Sequence, residues 1–211
     1  MKLVFVGDPM CSWCYGFAHE LTSVVSQTPD LELEIIVGGM GAGSTTVLDD
    51  AGKQFRLGNW ARVEQASGAQ FNRDALMARK NFVYDTEPVC RAVVTARKLA
   101  SAASELDFFH AFQKAFYIDG LDTTDGQVLA EIGVAALTDA NVDVSVQQFL
   151  KTWSSPEVIH ATRADFQRTA ALGVTGFPTV FAEKGGKLTR ISSGFIPRNQ
   201  LEHALTVLRA R

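Results

Sequence analysis

The chain has 211 residues, of which 46% are hydrophobic and 20% charged, with a formal net charge of -3. That length supports one large domain with a proper core, spanning residues 1–211. The slightly acidic balance leaves no electrostatic surplus for gripping nucleic-acid phosphates, and no stretch reaches the roughly 20 apolar residues that a bilayer-spanning helix needs.

The first element is "KLVFVG", Lys2 to Gly7. A short β-branched and aromatic run bounded by Gly7 and Pro9 reads as a buried strand. It leaves no room for a signal peptide, so a cytoplasmic protein is expected. From Trp13, apolar residues recur at Phe17, Leu21 and Val24 or Val25, which predicts a helix of roughly four turns ending near Pro29. "LELEIIVGG" from Leu31 begins by alternating and becomes continuously apolar, as a strand entering a core does. A helix between two strands favours parallel pairing with a right-handed crossover.

The glycines of "VGGMGAGSTT", Val37 to Thr46, lack the Lys-Ser or Lys-Thr pair of a phosphate loop, and the dinucleotide spacing fails at Ser44; a flexible loop is expected. From about Asn59 to Leu172 helical patterns dominate. Thr86 with Pro88, Ser104, Thr124, Asp143, and Ser155 with Pro156 stand like helix starts. Phe108, Phe112 and Phe116 form an apolar stripe read as core packing. Gly173 caps the last of these helices, and "GFPTVFAEKGGKLTRISSGF" reads as a hairpin turning at Gly185-Gly186. Pro197 opens a final helix with Leu201, Ala204, Leu205 and Leu208 on one face, and Arg209 and Arg211 at its favourable C-terminal end. The result is an α/β fold, one sheet carrying a large helical insertion at about residues 50–160.

Between the first strand and first helix stands "DPMCSWCYGF", Asp8 to Phe17. The thiolate is the reactive form of cysteine, and a helix N-terminus stabilises it through unpaired N-H groups and the positive dipole end. Cys11 occupies that place. Cys14, about one turn on, is close enough for a disulfide and shares the inward side with Phe17 and Leu21. Unequal roles follow: Cys11, more exposed and with a lowered pKa, attacks a substrate disulfide, and Cys14, more buried, resolves the mixed disulfide. Zinc is the competing use of a C-x-x-C pair, but only Cys90 remains among thiols and the four histidines are scattered, so no metal is expected.

The remaining chemistry-bearing residues have plain readings. Cys90, after "DTEP", is expected to be buried, and His19, His110, His160 and His203 to be solvated side chains. Asp8 admits two: a proton relay for a buried thiol, or a turn and cap residue.

"CSWC" after the first strand, the helical insertion, and "GVTGFPT" before the hairpin together resemble the DsbA-like family of the thioredoxin superfamily. "DPMCSWCYGF" and "DTEPVCRAV" resemble its leaderless FrnE-type branch. The resemblance covers nearly the whole chain and implies a thioredoxin-like fold. It also implies a cis bond at Phe177-Pro178, beside the cysteine pair, where the adjoining backbone meets an extended substrate peptide. Relatives commonly have proline where Ser12 stands. With neither Ser12 nor Trp13 charged, stabilisation of the Cys11 thiolate falls to backbone donors and the helix dipole. Trp13, Phe17 and Phe177 admit two readings, an apolar lip for hydrophobic peptide segments or simple core packing.

The expected function is dithiol-disulfide exchange or disulfide isomerisation with protein, peptide or small-thiol partners. The Cys11-Cys14 pair itself is the redox centre, there is no bound cofactor, and glutathione is a candidate redox partner. Two alternatives stand beside it. One is a glutathione-binding enzyme like the kappa-type transferases and hydroxychromene carboxylate isomerases, in which serine typically replaces Cys11. The other is a peptide-binding, chaperone-like module with vestigial thiols.

Overall fold

The computed structural model of the protein describes residues 1–100 and 105–210. The helix start expected at Ser104, and Arg211, lie outside the described residues.

The opening run forms β1, Lys2–Gly7, buried from Leu3 onward because it has a strand on each side. Helix α1, Ser12–Ser26, leads to β2, Glu32–Val37, which pairs with β1 in parallel as the crossover predicts. On the other side β3, Thr179–Lys184, pairs antiparallel with β1 and with β4, Lys187–Ser193. The strand order is therefore β2-β1-β3-β4. Gly185 and Gly186, at φ +59° and +75°, make the tight turn, a backbone that matches the right-handed twist of the two strands. After Pro197 comes α9, Arg198–Ala210, which buries Leu201 and Leu205.

Between β2 and β3 lie α2 (Asp50–Ser67), α3 (Arg73–Ala78), α4 (Glu87–Leu99), α5 (Glu105–Tyr117), α6 (Gly126–Asp139), α7 (Val146–Trp153) and α8 (Pro156–Ala171). The expected α/β sheet with a helical insertion is the observed fold, and the boundary near residue 160 falls inside α8. Helix α2 starts well before Asn59, with the Asp49 side chain accepting from the Gly52 N-H. Two starts shift by one or two residues. The Thr124 hydroxyl and N-H both turn to Asp122, so Asp125 caps α6, and Ser145 caps α7 through a reciprocal bond with Gln148. Thr86 and Ser155 stand at the starts of α4 and α8 as predicted.

Phe108, Phe112 and Phe116 are core residues, and Phe109 packs edge-on against Phe5 of β1 at 5.4 Å. A partly buried charge cluster fastens the insertion to the sheet. Arg97 of α4 reaches Glu105 of α5 at 2.5 Å, Asp165 of α8 at 3.1 Å and the Ile35 carbonyl of β2 at 2.8 Å. Asp165 in turn accepts the Val37 N-H at 3.1 Å. Burial outweighs the pull of Arg97 and raises the Glu105 carboxyl to about 7.

Candidate active site

The chain leaves β1 at Gly7 and turns on Asp8. Its Oδ1 accepts the Met10 N-H at 2.9 Å, and its backbone carbonyl accepts the Cys11 N-H at 3.0 Å. Cys11 is the N-cap of α1, with extended backbone, and its carbonyl accepts the Tyr15 N-H at 3.0 Å. It stands one step outside the helix, and Cys14 lies in the first turn. Both thiols are free, and the Cys11 sulfur neighbours Cys14. Burial, then the neighbouring Cys11 sulfur, pushes the Cys14 thiol well above the usual range, against a smaller opposing pull from the Asp8 amide.

The expected contrast in exposure is small, because Cys11 is only 4% exposed and Cys14 1%. Surroundings separate them better. Cys11 lines a cavity of about 260 Å³, together with Trp13, Met40, Arg56, Tyr84 and Phe177, whereas Cys14 is absent from its wall. The Cys11 Sγ-H donates to the Phe177 carbonyl at 3.7 Å. The Phe177-Pro178 bond is cis, and buried Pro178 has its carbonyl taken by the Gly194 N-H at 2.7 Å. Trp13, half-buried, packs 6.0 Å from Phe195. Phe17 is fully buried between Phe5 and Phe195, so the expected lip retains only Trp13 and Phe177. Gly38 admits the Phe177 ring, which would lie 2.1 Å from a Cβ there.

A family model for the DSBA-like thioredoxin domain matches residues 2–206. The chain belongs to that family. It is similar to a Nitrosomonas europaea structure assigned as a protein disulfide isomerase, at 30% identity and TM-score 0.87 over 99% of this chain and 97% of that one. It is also similar to the cytosolic disulfide reductase DsbM of Pseudomonas aeruginosa, at 26% identity and TM-score 0.80 over the whole of both chains. A structure of DsbM with GSH aligns at 21% identity and TM-score 0.78, covering 100% of this chain and 98% of that one. A 2-hydroxychromene-2-carboxylate isomerase, at 14% identity and TM-score 0.62 over 100% and 95%, shares the fold alone. No curated protein matches the chain by sequence.

In this DsbA-like chain the insertion supplies much of what surrounds Cys11. The Tyr84 and Tyr117 hydroxyls both donate to the Met10 carbonyl, Tyr117 at 2.6 Å, filling both lone pairs of the group that precedes Cys11. Burial raises both phenols, which keeps them as donors. Asp8 proves to be the turn residue of the plainer reading, and more. Its Oδ2 accepts the Met40 N-H at 2.7 Å and the Cys90 Sγ-H at 3.7 Å. Burial pushes both the Asp8 carboxyl and the Cys90 thiol upward. The glycine-rich stretch is a loop as expected, and it is tied to the insertion, because Gly41 donates to Thr86 at 3.1 Å and Gly43 to Asp85 at 2.9 Å, beside the Met40 bond.

Cys90 is buried as expected, while His110 departs from the solvated reading: it is half-buried, and burial lowers it to about 4. His19, His160 and His203 are exposed. Among the described residues no three His, Cys, Asp or Glu side chains gather into a metal site. Sequence reasoning missed Arg56, Met40 and the two tyrosines. Only the "DTEP" stretch pointed toward this region.

Proposed function

We propose that this protein is a cytoplasmic thiol-disulfide oxidoreductase whose reacting groups are Cys11 and Cys14. The observation that carries the reading is the asymmetry of the pair: Cys11 opens onto the cavity beside the Phe177 carbonyl, and Cys14 is sealed behind it with its thiol held protonated. The Cys11 thiolate attacks one sulfur of a disulfide R-S-S-R, forming a mixed disulfide and releasing RS⁻. Cys14 then loses its proton and attacks Cys11 Sγ, which releases the second RS⁻ and closes the Cys11-Cys14 bond. The partner gains two electrons and the dithiol loses two. Two protons leave the cysteines for the departing thiolates or solvent.

Similarity to DsbM supports the reductive direction, and the DsbM structure with GSH supports glutathione as the small-thiol partner that restores the dithiol. In this reading Trp13 and Phe177, which line the cavity, are the wall against which a protein or peptide partner lies, with buried Pro178 following Phe177 through the cis bond.

Trapping tests the roles. Cys14→Ser should accumulate a mixed disulfide through Cys11, and Cys11→Ser should not; equal trapping by both variants, or by neither, would refute the assignment. Equilibration in glutathione buffers then gives the direction of net exchange.

A further inference from the structure

The cavity beside Cys11 holds one cation that the redox chemistry leaves unused. Arg56 of α2 lies with its guanidinium carbon 3.5 Å from the centroid of the Tyr84 ring. Its Nε is buried without an acceptor, and among the described residues it makes no ion pair. Arg73, Arg91 and Arg97, by contrast, all reach carboxylates. The nearby acids are already engaged: Asp49 with the Gly52 N-H, and Asp85 with the Gly43 and Glu87 amides.

A guanidinium stacked on a ring has one face covered and keeps its edge N-H donors for an acceptor in its own plane, for which a carboxylate is the geometric match. One helical turn on, Asn59 lines the same cavity, with its Oδ1 taken by the exposed Arg62. That bond turns the Asn59 amide into a donor and brings a second cation near. The cavity of about 260 Å³ is of a size to admit a small molecule beside Cys11.

We propose that Arg56, supported by Asn59, is a subsite for the carboxylate of a low-molecular-weight disulfide, so that this protein selects anionic small disulfides over neutral ones. The inference rests on the redox reading above and narrows its substrate class. It places the carboxylate on α2 while the sulfur meets Cys11 across the cavity. The exchange steps are those already written. Because the whole chain carries a net charge of -3, a dianion gains nothing from the overall field, so any preference for it is local.

The test compares oxidation of the reduced protein by 3,3′-dithiodipropionate, a dianion, and by bis(2-hydroxyethyl) disulfide, which is neutral. Each rate is followed by acid quench and mass spectrometry, and divided by the rate of the same disulfide with a free cysteine derivative. The ratio of anionic to neutral rates should exceed one in the wild type, fall about ten-fold in Arg56→Met, and persist in Arg56→Lys, as loss of one charge-assisted contact implies. An unchanged ratio in Arg56→Met would overturn the subsite, including the case where both rates drop together because Tyr84 has moved. A wild-type protein that oxidises no faster with either disulfide than the free thiol does would remove the redox reading itself, and this subsite with it.

Discussion

Glu105 offers the sharpest quantitative test of the packing that holds the insertion on the sheet. It is 5% exposed, and it is held protonated up to about 7 against an ordinary 4.5. At 1.36 kcal/mol per pH unit, that displacement is about 3 kcal/mol. The unfolded chain loses this proton near pH 4.5 and the folded chain keeps it to about 7, so between those values the folded state binds more protons. The Glu105 contribution to stability therefore falls as pH rises from 4.5 to 7 and is flat above. Glu105→Gln keeps the shape and a hydrogen-bonding oxygen for Arg97 but cannot ionise. Urea unfolding of the reduced wild type and variant at pH 4.5 and pH 8 should show the variant gaining about 3 kcal/mol relative to the wild type between the two conditions. A difference that stays constant between these pH values, or that changes in favour of the wild type at pH 8, would refute the reasoning, because it would mean that Arg97 outweighs the desolvation of Glu105.

Three further outcomes concern the site. In a double-mutant cycle, Tyr84→Phe and Tyr117→Phe should each cost about 0.5–1.5 kcal/mol. The double variant should exceed their sum by about 1 kcal/mol, because only then is the Met10 carbonyl left without a donor; additive urea-unfolding energies would argue against a shared clamp. Gly38→Ala places a Cβ 2.1 Å from the Phe177 ring, so it should cost about 1–3 kcal/mol and slow disulfide exchange by moving the carbonyl that meets Cys11. Unaltered exchange rates would show that this wall tolerates displacement. Brief alkylation of the reduced native protein with iodoacetamide should label Cys11 before Cys14 or Cys90, whose thiols are raised by burial; peptide mapping that finds Cys90 labelled first would contradict the geometry.

The parts of this molecule legible in the sequence are those whose signal is local. The β1-α1-β2 unit follows from a continuous apolar run and a helical repeat, and the hairpin follows from two glycines that accept positive φ. Helix α2 was legible only from Asn59 because its first half inverts the usual pattern: Gly52 and Gly58 disfavour helix, Lys53 is buried, and Phe55 is 67% exposed. That inversion also hid Arg56. The C-x-x-C pair announced itself by spacing, whereas Asp8 did not disclose its bond to Met40, nor Tyr84 and Tyr117 theirs to Met10. No periodicity encodes a contact between residues more than thirty positions apart. The cis Phe177-Pro178 bond came from family resemblance, since composition carries no sign of it.

The bond between Cys11 and Phe177 spans most of the polypeptide. Synthesis runs from the amino end, so both sulfurs of the pair emerge early, long before the residue that walls them in has been made. Under the proposed redox role, competence is thus a late acquisition in this chain. A ribosome-bound fragment ending short of residue 177 would display both thiols without the carbonyl that meets Cys11 in the finished polypeptide.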